Sequence, residues 1–396
     1  MNTLLSEPSF QSLMKVTQRP DAVMARGAGS WLWDEAGNAY LDFLQGWAVN
    51  ALGHCAPEVT AALTQQAQIL VTPSPALHNR PQLNLAQTLT TATDMQTVHF
   101  SNSGAEANEV ALKLARKWGQ LHRDGAYQVL TTNNAFHGRT LATMAASGKP
   151  GWELLFPPYP DGFCQVPYGD LDAMAAAING QTVAIMVEPV QGEAGVVVPP
   201  TDYLPGLRQL ADQHNLLLIF DEIQTGIGRL GRFVAAQLFD VTPDVMTLGK
   251  GIGNGLPLSA TLANDRAACF DYGDQGGTYN GNPLMTAVAQ AVVDVVLNQA
   301  SLDHVEHMGC LLRRGLTERK HQYGVVDVRG YGLLNAIKLD REDAPAVVHA
   351  AFNEGLLINA ARPDTLRFMP SLRLTEAELA DFFARLDAAF DHCAVG

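Results

Sequence analysis

What the sequence lacks narrows it first. Only 17% of its 396 residues are charged, and 26 basic residues against 40 acidic ones leave a formal net charge of −14. That balance disfavours a nucleic-acid backbone or an anionic membrane surface as partner, so any anion bound here must be held by local groups. Cysteine is sparse: Cys55, Cys164, Cys269, Cys310 and Cys393 lie far apart with no Cys-x-x-Cys pair. Neither a disulfide framework nor a zinc knuckle is expected, and a reducing cytoplasm fits best. No stretch approaches ~18 uninterrupted apolar residues, and the N-terminus lacks the basic start and apolar run of a secretory signal. No fixed-period repeat appears, which sets aside solenoids. His54 beside Cys55, and His304 near His307, form no group of three or four ligands, so no metal is expected.

What is present is a core. With 47% hydrophobic residues, the chain can bury one large domain and a smaller one. Between roughly residues 95 and 265, short apolar runs alternate with helix-period segments. Thr97 to Phe100, Gln128 to Leu130, Val183 to Val187, Leu216 to Phe220 and Val245 to Leu248 read as buried strands. Such alternation predicts an α/β fold, a mostly parallel sheet covered by helices, with ligands at the carboxyl ends of the strands. After residue 281 an alanine- and valine-rich helix (Met285 to Leu297) leads to short strands around Val325 to Arg329 and Leu333 to Leu339. Thr375 and Glu378 then form a capping box opening a last helix. The expected division is an N-terminal arm over 1–50, a large domain over 51–280, and an interdomain helix with a small α+β domain over 281–396.

Three runs carry candidate chemistry. Ser101-Asn102-Ser103-Gly104-Ala105-Glu106 follows a strand and opens a helix whose inner face is Ala107, Ala111, Leu114 and Trp118. Free N–H groups, small residues and a hydroxyl at such a start can bind phosphate, although an ordinary helix cap reads the same way. Asp221 and Glu222 lie immediately beyond the apolar run Leu216 to Phe220, where a carboxylate is costly unless something cationic meets it. A protonated ring nitrogen of a cofactor would serve; so would an arginine, or a cap on the next turn. Lys250 stands among Gly249, Gly251, Gly253 and Gly255 at the end of another strand. A desolvated lysine there would have a lowered pKa, suited to covalent catalysis and proton relay.

Together these runs resemble the class III aminotransferases of fold type I, most closely those of the ornithine and acetylornithine type. The likeness rests on SNSGAEANE at 101–109, FHGRT at 136–140, EPVQGEAGV at 188–196, DEIQTGIGRLG at 221–231, LGKGIGNGLP at 248–257 and GGTYNGNPL at 276–284. It implies a pyridoxal 5'-phosphate enzyme with a seven-stranded sheet, a cytoplasmic homodimer whose sites lie at the subunit interface. Lys250 would be the lysine joined to the cofactor, and Asp221 would hold its ring nitrogen. Ser103, Gly104 and Ala105 would bind the phosphate, with Thr278 reaching it from the neighbouring subunit. Phe136 and Ile223 would pack on the two ring faces, and Gln224 would meet the ring hydroxyl.

The same resemblance implies a substrate set. Arg139 would bind a substrate carboxylate with its planar guanidinium. Glu193 would neutralise Arg367 while the amine donor is bound and release it for the second carboxylate of 2-oxoglutarate. The implied reaction moves the terminal amino group of N-acetylornithine to 2-oxoglutarate, giving N-acetylglutamate semialdehyde and glutamate, in arginine metabolism. Succinylornithine, ornithine or 4-aminobutyrate on the same scaffold are alternatives, and a non-catalytic cofactor-binding regulator is a more remote one. The chain departs from the pattern at Gly277, where many acetylornithine enzymes have serine. It departs again at Trp47, where ornithine aminotransferases carry a tyrosine; the indole offers an apolar surface for an acyl group, or simply packs.

Overall fold

The structure, a computed structural model, describes residues 12–394. Near the N-terminus β1 (Met24–Ala28), β2 (Trp31–Asp34) and β3 (Ala39–Asp42) form an antiparallel meander. The central sheet follows: β4 (Thr97–Ser101), β5 (Gln128–Thr132), β6 (Phe163–Val166), β7 (Thr182–Val187), β8 (Leu217–Asp221), β9 (Val245–Leu248) and β10 (Ser259–Ala263). Its seven strands run in the order β4-β10-β9-β8-β7-β5-β6. β10 is antiparallel to both neighbours, and every other pairing is parallel.

The uninterrupted apolar runs end up here because the sheet is covered on both faces. Every residue of β7 and β8 is buried. Leu217 and Ile219 join the cluster containing Trp118, Val129 and Val183, whereas Leu218 and Phe220 face the opposite cluster with Ile185 and Val187. The helix Gly104–His122 crosses the first face on the stripe read from its spacing, with Ala107, Ala111, Leu114 and Trp118 all buried.

β11 (Val325–Tyr331) and β12 (Leu334–Leu339) begin a second antiparallel sheet. β13 (Leu356–Leu357) returns to pair parallel with β3, and β14 (Asn359–Arg362) and β15 (Thr365–Phe368) complete the order β11-β12-β15-β14. The final helix, Glu376–Ala394, starts as its capping box requires: the Thr375 hydroxyl accepts from the Glu378 N–H (3.2 Å) and the Glu378 carboxylate from the Thr375 N–H (2.8 Å). Phe382 on that helix stacks on Phe43 at 4.0 Å, tying the chain's two ends together. Among the described residues no single helix is long and apolar enough to cross a membrane.

Candidate active site

The carboxyl ends of β5, β7, β8 and β9 converge, and each delivers one of the candidate side chains. β8 ends on Asp221, which is 3% exposed. A carboxylate in that position needs donors, and it has them. Oδ2 accepts from His137 Nδ1 (2.7 Å) and Asn108 Nδ2 (2.8 Å), and Oδ1 accepts from the Ile223 N–H (3.1 Å). Thr247 on β9 steadies the arrangement by donating to Asn108 Oδ1 at 2.8 Å. His137 is fully buried. Burial opposes its protonation, yet the hydrogen bond and charge of Asp221, with Glu188 beyond, raise its pKa above the ordinary value. His137, Asn108 and Glu188 lie inside the motifs at 136–140, 101–109 and 188–196, and only that position marks them in the sequence.

Lys250 follows β9 after Gly249 and takes φ 45°, a left-handed conformation that costs a side-chain-bearing residue roughly 1–2 kcal/mol. Burial lowers its ammonium pKa, opposed by Glu193 and reinforced by Arg367. Ile223 packs closely against a glycine on either side. A Cβ on Gly104 would lie 2.8 Å from Ile223 Cδ1, and one on Gly249 3.2 Å from Ile223 Cγ2. The Ser103 start, the Asp221–Gln224 turn and the Lys250 loop therefore meet at one place. Ser103 itself caps the helix Gly104–His122 in a capping box with Glu106. Gly138 presses on Ala105, where a Cβ would sit 2.8 Å from the Ala105 Cβ.

Arg367 lies on β15 and is completely buried. Three acceptors hold its guanidinium: Asn359 Oδ1 at Nε (3.0 Å), Gln224 Oε1 at Nη1 (3.2 Å) and Glu193 Oε1 at Nη2 (2.8 Å). Burial alone would raise the Glu193 pKa; Arg367 and then Lys250 overcome it and hold the carboxyl below its usual value. Glu193 stands on a tight loop closed by the Gln191–Val197 bridge. The other oxygen of Glu193 lies 3.9 Å from Lys149 Nζ, a cation that no motif marked.

Arg139 is exposed, its guanidinium 4.8 Å from the Trp152 ring centroid and 5.6 Å from that of Phe136. Phe136 donates its N–H to Glu188 Oε2 at 3.1 Å. Trp47 is 46% exposed, and the Arg367 guanidinium carbon lies 5.6 Å from its ring. Trp47 is carried on four successive left-handed residues, Gln45 to Ala48, a turn anchored where Asp42 Oδ1 accepts the Leu44 and Gln45 N–H groups at 2.8 Å each. Thr278 and Gly277 lie apart from this cluster, on the turn before the helix Pro283–Val296, and Thr278 is exposed. That turn is joined to the phosphate-loop candidate through Asn280, whose Oδ1 accepts from Asn102 Nδ2 at 2.9 Å. Among the described residues no group of three or more His, Cys, Asp or Glu could hold a metal ion.

Comparison with known proteins gives this geometry its family. The profile described as "Aminotransferase class-III" matches residues 13–390. Acetylornithine aminotransferase 2 of Bordetella bronchiseptica is 54% identical over 96% of this chain and 97% of its own length. The ornithine aminotransferase of Toxoplasma gondii superposes with a TM-score of 0.93 at 34% identity, covering 97% of this chain and 93% of that one. The N-acetylornithine aminotransferase of Stenotrophomonas maltophilia gives 0.85 at 34% identity, covering 95% and 97%. A profile spanning nearly the whole chain, met by a site in which a strand-end aspartate and a desolvated lysine converge, leaves one conclusion: the chain belongs to the class-III aminotransferases, enzymes that depend on pyridoxal 5'-phosphate.

Proposed function

We propose that this chain transfers the terminal amino group of N-acetylornithine to 2-oxoglutarate, giving N-acetylglutamate semialdehyde and glutamate in arginine metabolism. The single observation that carries the reading is the Glu193–Arg367 pair at 2.8 Å beside Lys250. A site that must take a donor and a dicarboxylic acceptor in turn needs a cation it can neutralise and expose. The 54% identical relative named for acetylornithine supports the choice of donor.

The residues fit the cofactor. Gln224 Nε2 is a buried donor without a partner among the described residues, as expected of a group awaiting a ring hydroxyl. Asp221 is a fully supported carboxylate suited to a ring nitrogen, and the helix start at Ser103, Gly104 and Ala105 suits a phosphate, with Thr278 completing it from a neighbouring subunit. Phe136 and Ile223 would form the two walls of the ring slot. When bound, pyridoxal phosphate supplies an electron sink that makes the proton on the amine-bearing carbon removable.

The chain's own groups then do the rest. Lys250 Nζ, its pKa lowered, is available as a base that takes that proton and returns it elsewhere. Asp221 keeps the ring nitrogen protonated, and His137, Asn108 and the Ile223 N–H keep Asp221 oriented. Arg139 grips the donor's carboxylate, with Trp47 as the apolar surface for the acyl group; Gly277, arriving with Thr278 from the neighbouring subunit, lacks the hydroxyl that a serine there would offer the substrate. While the donor is bound, Glu193 cancels the charge of Arg367; for 2-oxoglutarate it withdraws.

The unit we envisage is a cytoplasmic homodimer built from the 1–50, 51–280 and 281–396 segments, with sites at the subunit interface. The exposed run Ile69, Leu70, Val71, together with Leu77 and Leu83, supports a buried partner face. A donor panel tests the function: acetylornithine, succinylornithine, ornithine and 4-aminobutyrate are each mixed with purified holoenzyme, and glutamate formation from 2-oxoglutarate is measured. Acetylornithine is expected to give the highest kcat/KM. Turnover of 4-aminobutyrate or ornithine with none of acetylornithine would refute the proposal.

A further inference from the structure

We infer that Lys149 is the second docking partner of Glu193, a positioning residue that receives the glutamate when Arg367 is needed for a dicarboxylate; this rests on the switch role just proposed for the pair. The geometry allows one side chain, that of Glu193, to serve two cations and makes it the group that moves. Arg367 is buried and fixed at three points by Asn359, Gln224 and Glu193. The backbone of Glu193 is fixed as well, because Gln191 and Val197 close its loop with two hydrogen bonds, at 3.1 and 2.9 Å. The Glu193 side chain, 24% exposed, is the element able to rotate.

The direction of rotation follows from charge. A carboxylate leaving Arg367 inside a half-buried cleft loses most of its stabilisation unless another cation meets it. Glu193 already points Oε2 at Lys149 Nζ, 3.9 Å away and 20% exposed, so a small turn completes a second ion pair. Lys149 is held for that purpose by rings, its Nζ lying 4.9 Å from the centroid of Phe136 and 5.2 Å from that of Trp152. Arg139 and Arg362 also act on Lys149 electrostatically, with the Glu188 carboxyl opposing them, so three cations stand against one acid where Glu193 would turn. Glu193 thus exchanges one partner for another, and the Arg367 site opens at lower cost than it would without Lys149.

The test is a double-mutant cycle read by calorimetry with glutarate, an unreactive dicarboxylate, bound to the holoenzyme. Lys149→Met should weaken glutarate about five-fold, the effect of removing one partly exposed charge pair. In a Glu193→Gln background the same change should weaken it less than about two-fold, because the group that Lys149 receives is gone. Lys149→Arg should restore most of the loss, which a merely structural role would not predict. An equal loss in both backgrounds would mean that Lys149 binds the ligand itself, and no loss in either would mean that it does nothing; both overturn the inference. Butyrate separates failure of the underlying reading: if wild type binds glutarate no more tightly than butyrate, Arg367 is not a dicarboxylate site, and the inference falls with it.

Discussion

Gly192→Ala perturbs the support of Arg367 without replacing a charged group. The backbone at Gly192 is not left-handed, so alanine brings no conformational strain, only a methyl. That methyl would lie 1.5 Å from Gln224 Oε1, where ordinary contact begins at 3.4 Å, and 2.6 Å from the Gln224 amide carbon. The clash is roughly 2 Å deep, so Gln224 must swing away from Arg367 Nη1, which it now meets at 3.2 Å. A hydrogen bond to a charged group is worth about 1.5–3 kcal/mol, and overpacking adds about 1–3 kcal/mol where the neighbour cannot yield. Because Gln224 yields, most of the effect should appear in function. The kcat/KM for 2-oxoglutarate should fall about ten-fold or more, and the cofactor absorbance should shift as Gln224 leaves its ring hydroxyl. The far-ultraviolet circular dichroism should stay unchanged. Gly180→Ala is the control, since a methyl there meets nothing within 4 Å. Normal 2-oxoglutarate kinetics and an unshifted spectrum in Gly192→Ala would refute the reasoning.

Other consequences can be checked in parallel. Glu193→Gln should leave the charge of Arg367 uncompensated, raising kcat/KM for glutamate relative to N-acetylornithine in the two half-reactions; a ratio unchanged within two-fold counts against the switch. Asn108→Ala should remove a donor to Asp221 and cut loose Thr247, costing about 1–3 kcal/mol in thermal or denaturant unfolding and lowering affinity for the cofactor, measured by dialysis and reconstitution. Stability should also respond to pH through Glu188, whose carboxyl is pushed from 4.5 to about 7, chiefly by burial, with His137 opposing and Asp221 adding. A pKa raised on folding stabilises fully below about 4.5 and loses that contribution as pH rises through about 7. Relative to Glu188→Gln, wild type should therefore lose thermal midpoint between pH 5 and 7.5; a flat difference would contradict this.

The large sheet was legible in the sequence wherever burial on both faces made a strand wholly apolar. The predicted runs correspond to β4, β5, β7, β8 and β9, with the bounds of β9 matching and the others off by at most two residues. β6 and β10 escaped because Phe163–Val166 is an edge strand that is only partly buried and Ser259–Ala263 mixes hydroxyls with small apolar residues. The hydroxyls of β10 are used: Ser259 donates to the Ser103 carbonyl and Thr261 to that of Ala107, tying the sheet to the helix start. Motif spacing could point to Asp221 and Lys250 because the first ends a strand and the second follows one by a single glycine. It could not reveal His137 under Asp221, since a histidine beside a glycine has no periodicity to betray its burial. Lys149 was invisible for a similar reason: it lies in a loop, and only the fold brings it within 3.9 Å of Glu193, 44 residues along the chain.

Covalent trapping shows which lysine carries the cofactor. Purified holoenzyme is reduced with borohydride, digested and mapped by mass spectrometry. One phosphopyridoxyl adduct per chain is expected, on Lys250, and none in Lys250→Ala. An adduct on another lysine such as Lys149 or Lys113, or no adduct at all, would contradict that assignment.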